Sequence, residues 1–308
     1  MIGRNKIVVV GSSNTDMVIK VKNLPRPGET VIGKEFYIAA GGKGANQAVA
    51  AARLGADVTF IAKVGKDMFG DRAIANFQES GINTDFVFRD EKNPSGVALI
   101  FVDEKGENSI AVSPGSNANL VKENIKLAID EIKKAVIMLI QLEIPIETVE
   151  YAVNVAKQHN VKIILNPAPA RKLSDQLLKQ VDVITPNESE AEVLTGLKVV
   201  DDISAAKAAE ALIQKGVNNV VITLGERGAF LYTKSDNMLI PTKKVNAVDT
   251  TAAGDAFNGG LAFALGSGMS LKEAIHFANF VGAYSVTRKG AQPSMPNYDE
   301  VKRFMSDN

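Results

Sequence analysis

Residues 135–165 read AVIMLIQLEIPIETVEYAVNVAKQHNVKIIL. The runs AVIMLI (135–140) and VKIIL (161–165) are short, apolar and rich in β-branched residues, so both read as buried strands. The stretch between them, 146–159, reads as a helix. A strand–helix–strand unit of this kind builds a parallel sheet whose faces helices must cover. On either side of this unit, further buried strands are expected at 6–10 (KIVVV), 58–64 (VTFIAKV), 181–184 (VDVI) and 218–224 (NNVVITL). Helices are expected between most of them, at about 43–54, 67–80, 119–134, 187–195 and 202–215. Beyond residue 250 the chain turns helical, at about 253–266, 270–287 and 297–306. The fold class is therefore α/β, with a mainly parallel central sheet and helices on both faces.

Two regions break the alternation. Residues 14–40 hold extended segments around the turn LPRPGET, and 96–113 (GVALIFVDEKGENSIAVS) carry two strand-like runs around DEKGEN, a hairpin signal. A small sheet needs at least three strands and a covered face. Segments 14–40 and 96–113 are therefore expected to pair into a β lid over a discontinuous main domain of 1–13, 41–95 and 114–308. The succession Leu99, Ile100, Phe101, Val102 places apolar residues on more than one lid face, which predicts a homodimer through the lid.

Composition narrows the function. The chain has 308 residues, is 45% hydrophobic, and balances 35 Lys and Arg against 35 Asp and Glu. A net charge of zero gives no basic surface for a nucleic-acid backbone. With no cysteine there is neither a disulfide framework nor a thiolate zinc site, and His159 and His276 are too far apart to suggest a histidine cluster. The apolar runs Ile7–Val10 and Ala135–Ile140 are too short for a signal peptide or a membrane span, so a soluble cytoplasmic protein is expected.

In an open parallel sheet, ligands bind beyond the carboxyl ends of the strands. The polar sequences there are Gly11–Asp16, Gln141–Glu143, Asn166–Ala168, Pro186–Glu190 and Thr223–Gly228. They put many oxygens and amides on one rim, which suits a polyhydroxylated ligand. The sharpest signal is DTTAAGDAF at 249–257. Ala252, Ala253 and Gly254 precede a helix whose free amides and positive dipole end can receive an anion. Asp255 falls in the first helical turn. An aspartate there also serves as a dipole partner, but that role leaves the small-residue run unexplained. A carboxylate beside an anion hole can take a proton from a hydroxyl while the hole stabilises a transferring phosphoryl group. The other glycine-bearing turn, AGGKGANQ at 40–47, is no Walker A loop, since no Ser or Thr follows Lys43. The turn GSSN after the first strand lacks the glycines of a dinucleotide fingerprint, which argues against an oxidoreductase.

GGKGANQAVAAARLG at 41–55 and DTTAAGDAF at 249–257 resemble the two signatures of the ribokinase (PfkB) family of carbohydrate and nucleoside kinases. GSSNTD near the start and NESE in the middle extend the resemblance over the whole chain. It implies a three-layer sandwich of the ribokinase-like kind with a β lid, and transfer of the ATP γ-phosphate to the 5-hydroxyl of D-ribose. Deoxyribose, fructose or a nucleoside stay open as alternative acceptors. A non-catalytic sugar- or nucleotide-binding regulator is a further alternative, disfavoured by the intact Asp255. By the same resemblance, Asn14, Asp16, Gly42, Lys43, Asn46 and Glu143 bind the sugar and Asp255 is the base. Ala252, Ala253 and Gly254 form the anion hole, and Asn187, Thr223, Gly225, Gly228, Gly254 and Asn279 bind ATP. Glu190 organises Mg2+ through water, while Asp249, Thr251, Ser285, Arg288, Gly290 and Ser294 surround a monovalent cation, K+.

Overall fold

The structure, a computed structural model, describes residues 5–307; positions 1–4 and 308, which the expected main domain included, lie outside the described residues. The chain lays down β1 (Lys6–Val10), β2 (Asn14–Lys20), β3 (Glu35–Gly41), α1 (Lys43–Arg53), β4 (Asp57–Gly65), α2 (Met68–Glu79) and β5 (Val87–Asp90). The hairpin β6 (Gly96–Val102) and β7 (Asn108–Ser113) leads to short helices α3 (Lys122–Leu127) and α4 (Ile129–Lys134). Then come β8 (Ile137–Ile140), α5 (Ile146–Gln158), β9 (Lys162–Leu165), α6 (Asp175–Leu178), β10 (Val183–Ile184), α7 (Glu188–Thr195), α8 (Asp202–Gln214) and β11 (Asn219–Thr223). An antiparallel pair, β12 (Ala229–Tyr232) and β13 (Asn237–Ile240), precedes α9 (Ala253–Gly266), α10 (Leu271–Ser285) and α11 (Tyr298–Ser306).

The large sheet runs β13-β12-β11-β10-β9-β8-β1-β4-β5. It is parallel from β11 to β5, and β12 and β13 add an antiparallel edge. Alternation along β1 explains the layers: Ile7 and Val9 join one buried core with α1, α9 and α10, while Val8 and Val10 join the other with α5 and α8. Strand β1 pairs with β4 on one side and β8 on the other, so successive crossovers leave it in opposite directions. That reversal opens a crevice at the carboxyl ends of β1 and β8. Gly11–Asp16 and Gln141–Glu143 follow those two strand ends.

The segments that broke the alternation form a second sheet, β3-β2-β6-β7. Side chains alternate between its faces. Asp16, opposite Ala39 and Ala98, shares a face with the buried Val18. Met17, opposite Ile38 and Leu99, lies on the other face with Ile19, Phe36 and Phe101.

Two details depart from the sequence reading. The expected helix 119–134 breaks at Ala128, whose φ of −101° and ψ of 4° end α3 and cap α4. The pair β12–β13 was absent from the expected strands, because AFLY and NMLI are only four residues each and are defined by partners rather than by period. No helix of the described residues is long and apolar enough to cross a membrane.

Candidate active site

Helix α9 begins abruptly. Ala252, its N-cap, sits in the left-handed region at φ 60° and ψ 17°. A side-chain-bearing residue there stores about 1–2 kcal/mol of strain. The turn leaves the amides of Gly254 and Asp255 without an acceptor among the described residues. A Cβ at Gly254 would meet nothing within 4 Å, so no packing within the chain requires glycine there. The open space lies beside the free amides, where an anion can approach the backbone.

Asp255 is buried in the first turn. Its Oδ2 accepts from Asn46 Nδ2 at 2.9 Å and its Oδ1 from Gln47 Nε2 at 2.9 Å. Both amides come from α1, against which α9 packs. Burial pushes the Asp255 carboxyl above its ordinary value, and Lys43, Asn46 and Gln47 pull it back only in part. A carboxylate so poised accepts a proton more readily than an exposed one.

The glycine-rich turn serves two purposes. Gly42 has φ 91°, and a Cβ on it would lie 2.6 Å from the Asn14 amide nitrogen, so only glycine brings β3 into α1 here. The start of α1 then presents Lys43. Burial alone would lower the Lys43 pKa, yet Asp255, Glu143, Glu190 and Asp16 outweigh it and hold the ammonium above its ordinary value. Glu143 accepts from the Lys43 amide at 3.1 Å and from Ser12 Oγ at 2.6 Å. Asn14 Oδ1 accepts from Asn117 Nδ2 at 2.7 Å, which turns the Asn14 amide nitrogen away from Asn117.

Asp16 is raised from 3.8 to about 6, first by burial and then by the charges of Glu143 and Asp255. The folded state therefore holds this proton more tightly than the unfolded chain. Stability from this group is full below the unfolded value and is lost as pH rises through the folded one. Above pH 6 the ionised carboxylate costs the ligand-free protein at most about 3 kcal/mol. Asp16→Asn should accordingly raise the melting temperature at pH 7.5, with the gain closing as pH falls toward 4. An equal gain at both pH values would contradict the assignment.

Asp255 opens onto a cavity of about 200 Å3 lined in part by Lys43, Asn166, Asn187, Glu190 and Thr250. A wider groove of about 1020 Å3 adjoins it, and Asn187, Thr223, Thr250, Ala253 and Gly254 border both. The groove is lined by Gly225, Gly228, Phe257 and Asn279 among others. Asn279 Nδ2 donates to the Ile240 carbonyl at 2.8 Å, tying α10 to the end of β13. Asn187 and Glu190 form a reciprocal cap at the start of α7, with Asn187 Oδ1 taking the Glu190 amide at 2.8 Å and Glu190 Oε2 the Asn187 amide at 2.9 Å. Burial pushes the Glu190 carboxyl up. Asn14, Asp16, Gly42, Asn46 and Glu143 do not line the small cavity; Asn46 reaches it through Asp255.

The third cluster joins two loops. Asp249 Oδ1 accepts from the Thr251 amide at 2.9 Å and Oδ2 from the Gly290 amide at 2.8 Å. Burial works against its charge, but these bonds outweigh it and hold the carboxyl below its ordinary value. Ser285 Oγ donates to the Gly282 carbonyl and Ser294 Oγ to the Ala291 carbonyl. The Arg288 guanidinium turns to Glu300 at 3.0 Å and stacks over Tyr284, leaving only its main chain to this cluster. Asp249 is the one carboxylate in segments 249–251 and 285–294, a hard and weakly charged donor of the kind that suits a monovalent cation. Among the described residues, no three Asp, Glu, His or Cys side chains converge as a metal site.

Several residues at the site escaped the sequence reading. Gln47 Nε2 bridges Asp255 to Asn166 Oδ1 at 3.0 Å, Thr185 Oγ1 donates to Asn258 Oδ1 at 2.6 Å, and Gln292 contacts Asn46. Gln47 was legible in principle, one residue past Asn46 in the first glycine-bearing segment. Gln292 had no signal, because its partner lies 246 residues away.

Residues 4–298 match the pfkB family of carbohydrate kinases. The chain is 46% identical to a ribokinase of Haemophilus influenzae over 302 residues, 98% of this chain and 99% of that one. It is 41% identical to a deoxyribokinase of Salmonella typhi, again over 98% and 99%. The structure of Arabidopsis thaliana ribokinase complexed with ribose and ATP superposes with a TM-score of 0.91 at 30% identity, covering 99% of each chain. With an Asp255 site at a helix start and a match over nearly the whole length, the chain belongs to the pfkB family of carbohydrate kinases.

Proposed function

We propose that this protein transfers the γ-phosphate of ATP to the 5-hydroxyl of D-ribose, giving D-ribose 5-phosphate and ADP. The observation that carries the reading is the place of Asp255: buried, oriented by two amides, and facing a small polar cavity that meets a wide groove at Ala253 and Gly254 of the same free helix start. Asp255 takes the proton of the 5-hydroxyl as its oxygen attacks the γ-phosphorus. The bond from that phosphorus to the β-phosphate oxygen breaks, and ADP leaves. The free amides at Gly254 and Asp255, after the turn at Ala252 and Ala253, stabilise charge on the transferring group; the Ala253 amide is held by the Thr250 carbonyl at 3.3 Å. Lys43 balances Asp16, Glu143, Glu190 and Asp255. Asp16 accepts from two adjacent sugar hydroxyls, with Asn14, Gly42, Asn46 and Glu143 completing the sugar site. Asn187, Thr223, Gly225, Gly228 and Asn279 hold the nucleotide along the groove. The lid segments 14–40 and 96–113 cover the sugar, and the remaining segments form the main domain.

Glu190 would organise the magnesium of ATP through water, and that ion supplies neutralisation of phosphate charge. Asp249, Thr251, Ser285, Arg288, Gly290 and Ser294 would hold a potassium ion that supports the loop before the anion hole. Activity with magnesium and ATP should therefore rise several-fold on adding potassium, with sodium a weaker substitute. Full activity in a buffer free of both ions would contradict this.

The lid face opposite Asp16 carries the exposed Phe36, Ile38 and Leu99 in rows with Met17, Ile19 and Phe101. A second copy covering this stripe by two-fold symmetry would bury it. Sedimentation equilibrium at micromolar concentration should give the dimer mass; a monomer mass would refute the arrangement. The substrates, a free sugar and ATP, are those of the cytoplasm, where we place the protein.

The relatives supply both a ribose and a deoxyribose reading. The carboxylate of Asp16, raised first by burial and then by Glu143 and Asp255, and without a hydrogen-bond donor among the described residues, favours ribose. Comparing kcat/KM for ribose, 2-deoxyribose, fructose and adenosine tests the proposal. Ribose should lead. A lead by 2-deoxyribose would overturn the choice of sugar, and no turnover of any of the four would overturn the kinase reading.

A further inference from the structure

Three side-chain amides, of Asn46, Gln292 and Asn76, form a hydrogen-bonded chain from Asp255 to α2. Asn46 Nδ2 donates to Asp255 at 2.9 Å, and Asn46 Oδ1 accepts from Gln292 Nε2 at 3.2 Å. Gln292 Oε1 in turn accepts from Asn76 Nδ2, on α2, at 2.6 Å. Gln292 is buried and is clamped through its main chain as well, since its carbonyl accepts from Arg53 Nη1 at 2.6 Å. An amide side chain can be turned end for end, exchanging its donor for its acceptor. The ionised Asp255 carboxylate can only accept, so it sets the sense of the line: Asn46 shows it nitrogen, which turns the Asn46 oxygen to Gln292 Nε2 and the Gln292 oxygen to Asn76.

We infer that Gln292 is a positioning residue that holds the Asn46 amide donor-first against Asp255 and so aims the carboxylate at the reacting hydroxyl. The inference rests on the reading of Asp255 as the base. Gln292 does not touch Asp255; it acts through Asn46. Without it, the Asn46 oxygen loses the partner that fixes its far end, and the amide is free to swing out of line with Asp255. Asp255 would then lose one of its two donors. The charged groups acting on Asp255, namely Lys43 and Glu143, would remain, as would Asp16 and Glu190 around Lys43 and Arg53 beyond Gln292. Losing a donor to the charged form moves a carboxyl upward, so the acid limb of the kcat–pH profile should move to higher pH.

The test uses Gln292→Leu, which removes the donor without adding charge. Its kcat should fall about tenfold, the worth of one hydrogen bond to a charged group. KM for ATP should hold within about twofold, because none of its proposed contacts involves Asn46. The decisive arm needs no activity. Asp255→Asn puts a new NH2 beside two fixed donors, Asn46 and Gln47, and one of those pairs must clash. Releasing Asn46 through Gln292→Leu lets it turn its oxygen to the new NH2. Gln292→Leu should therefore lower the melting temperature less in the Asp255→Asn background than in the wild type. Additive losses would overturn the inference, since a merely structural Gln292 has no route to residue 255. The expected coupling in a protein inactive on ribose would sustain the inference and sink only the choice of substrate. Should Gln292→Leu fail to fold, Asn76→Leu, at the partly exposed outer end of the line, must show coupling of the same sign or the inference falls.

Discussion

Asp255→Asn should lower kcat by about 10²–10⁴-fold, the usual contribution of a general base. The substitution keeps the size of the side chain and removes its capacity to take a proton. Affinity for ribose and ATP should change far less, because the proposed contacts of both lie mainly on other residues. Stability separates this reading from a helix-capping role. A first-turn carboxylate interacting with the helix dipole contributes about 0.3–1 kcal/mol, so a capping aspartate would cost melting temperature and leave turnover nearly normal. In this site the carboxyl is buried and pushed above its ordinary value, so its charge is a burden on the folded protein. Asp255→Asn should thus leave the melting temperature close to that of the wild type, the lost charge being offset by the misplaced NH2. Near-normal kcat with a clearly lowered melting temperature would make the catalytic assignment untenable.

Asp16→Ala should lower kcat/KM for ribose by about 10²–10³-fold, because hydrogen bonds to a charged group contribute about 1.5–3 kcal/mol each. The wild type should prefer ribose over 2-deoxyribose by about 10–10²-fold on the same scale, one such bond being lost with the 2-hydroxyl. In Asp16→Ala that preference should nearly vanish. The burial of Asp16 among Glu143 and Asp255 gives the physical reason. A carboxylate kept there without a sugar is strained toward its neutral form, and two hydroxyl donors relieve the strain only when both are present. Equal kcat/KM for both sugars in the wild type would contradict the role.

The parts of this molecule that were legible in sequence are those whose physics is local. The helix expected at 253–266 begins and ends where α9 does, because small residues mark its start and the apolar run Leu261–Leu265 fills its second half. The strand KIVVV reads as doubly buried, and its alternate residues do enter two cores. Asn46 and Asp255, one from each glycine-bearing segment, lie 209 residues apart yet meet in one bond, which no local pattern foretells; only the family resemblance linked them. Where partners decide the outcome, the sequence was mute. The break at Ala128 depends on how α3 and α4 each pack, and β12–β13 exists because β11 offers it an edge. The orientation of Asn14 depends on Asn117, 103 residues on, and that of Asn46 on Gln292. The Asn187–Glu190 pair had a local signature, but a cap and a ligand site share it, and the structure shows both a cap and a place in the cavity wall.

In the proposed reaction the 5-hydroxyl oxygen of ribose attacks the γ-phosphorus of ATP with Asp255 as base. It is tested most directly with D-ribose carrying 18O at the 5-hydroxyl, incubated with the protein, ATP, magnesium and potassium, and read by mass spectrometry and 31P NMR. The account predicts ribose 5-phosphate with the label kept in the bridge between C5 and phosphorus, equimolar ADP, and loss of this product in Asp255→Asn. Phosphate on a different hydroxyl, or ADP formed with inorganic phosphate and no sugar phosphate, would contradict it.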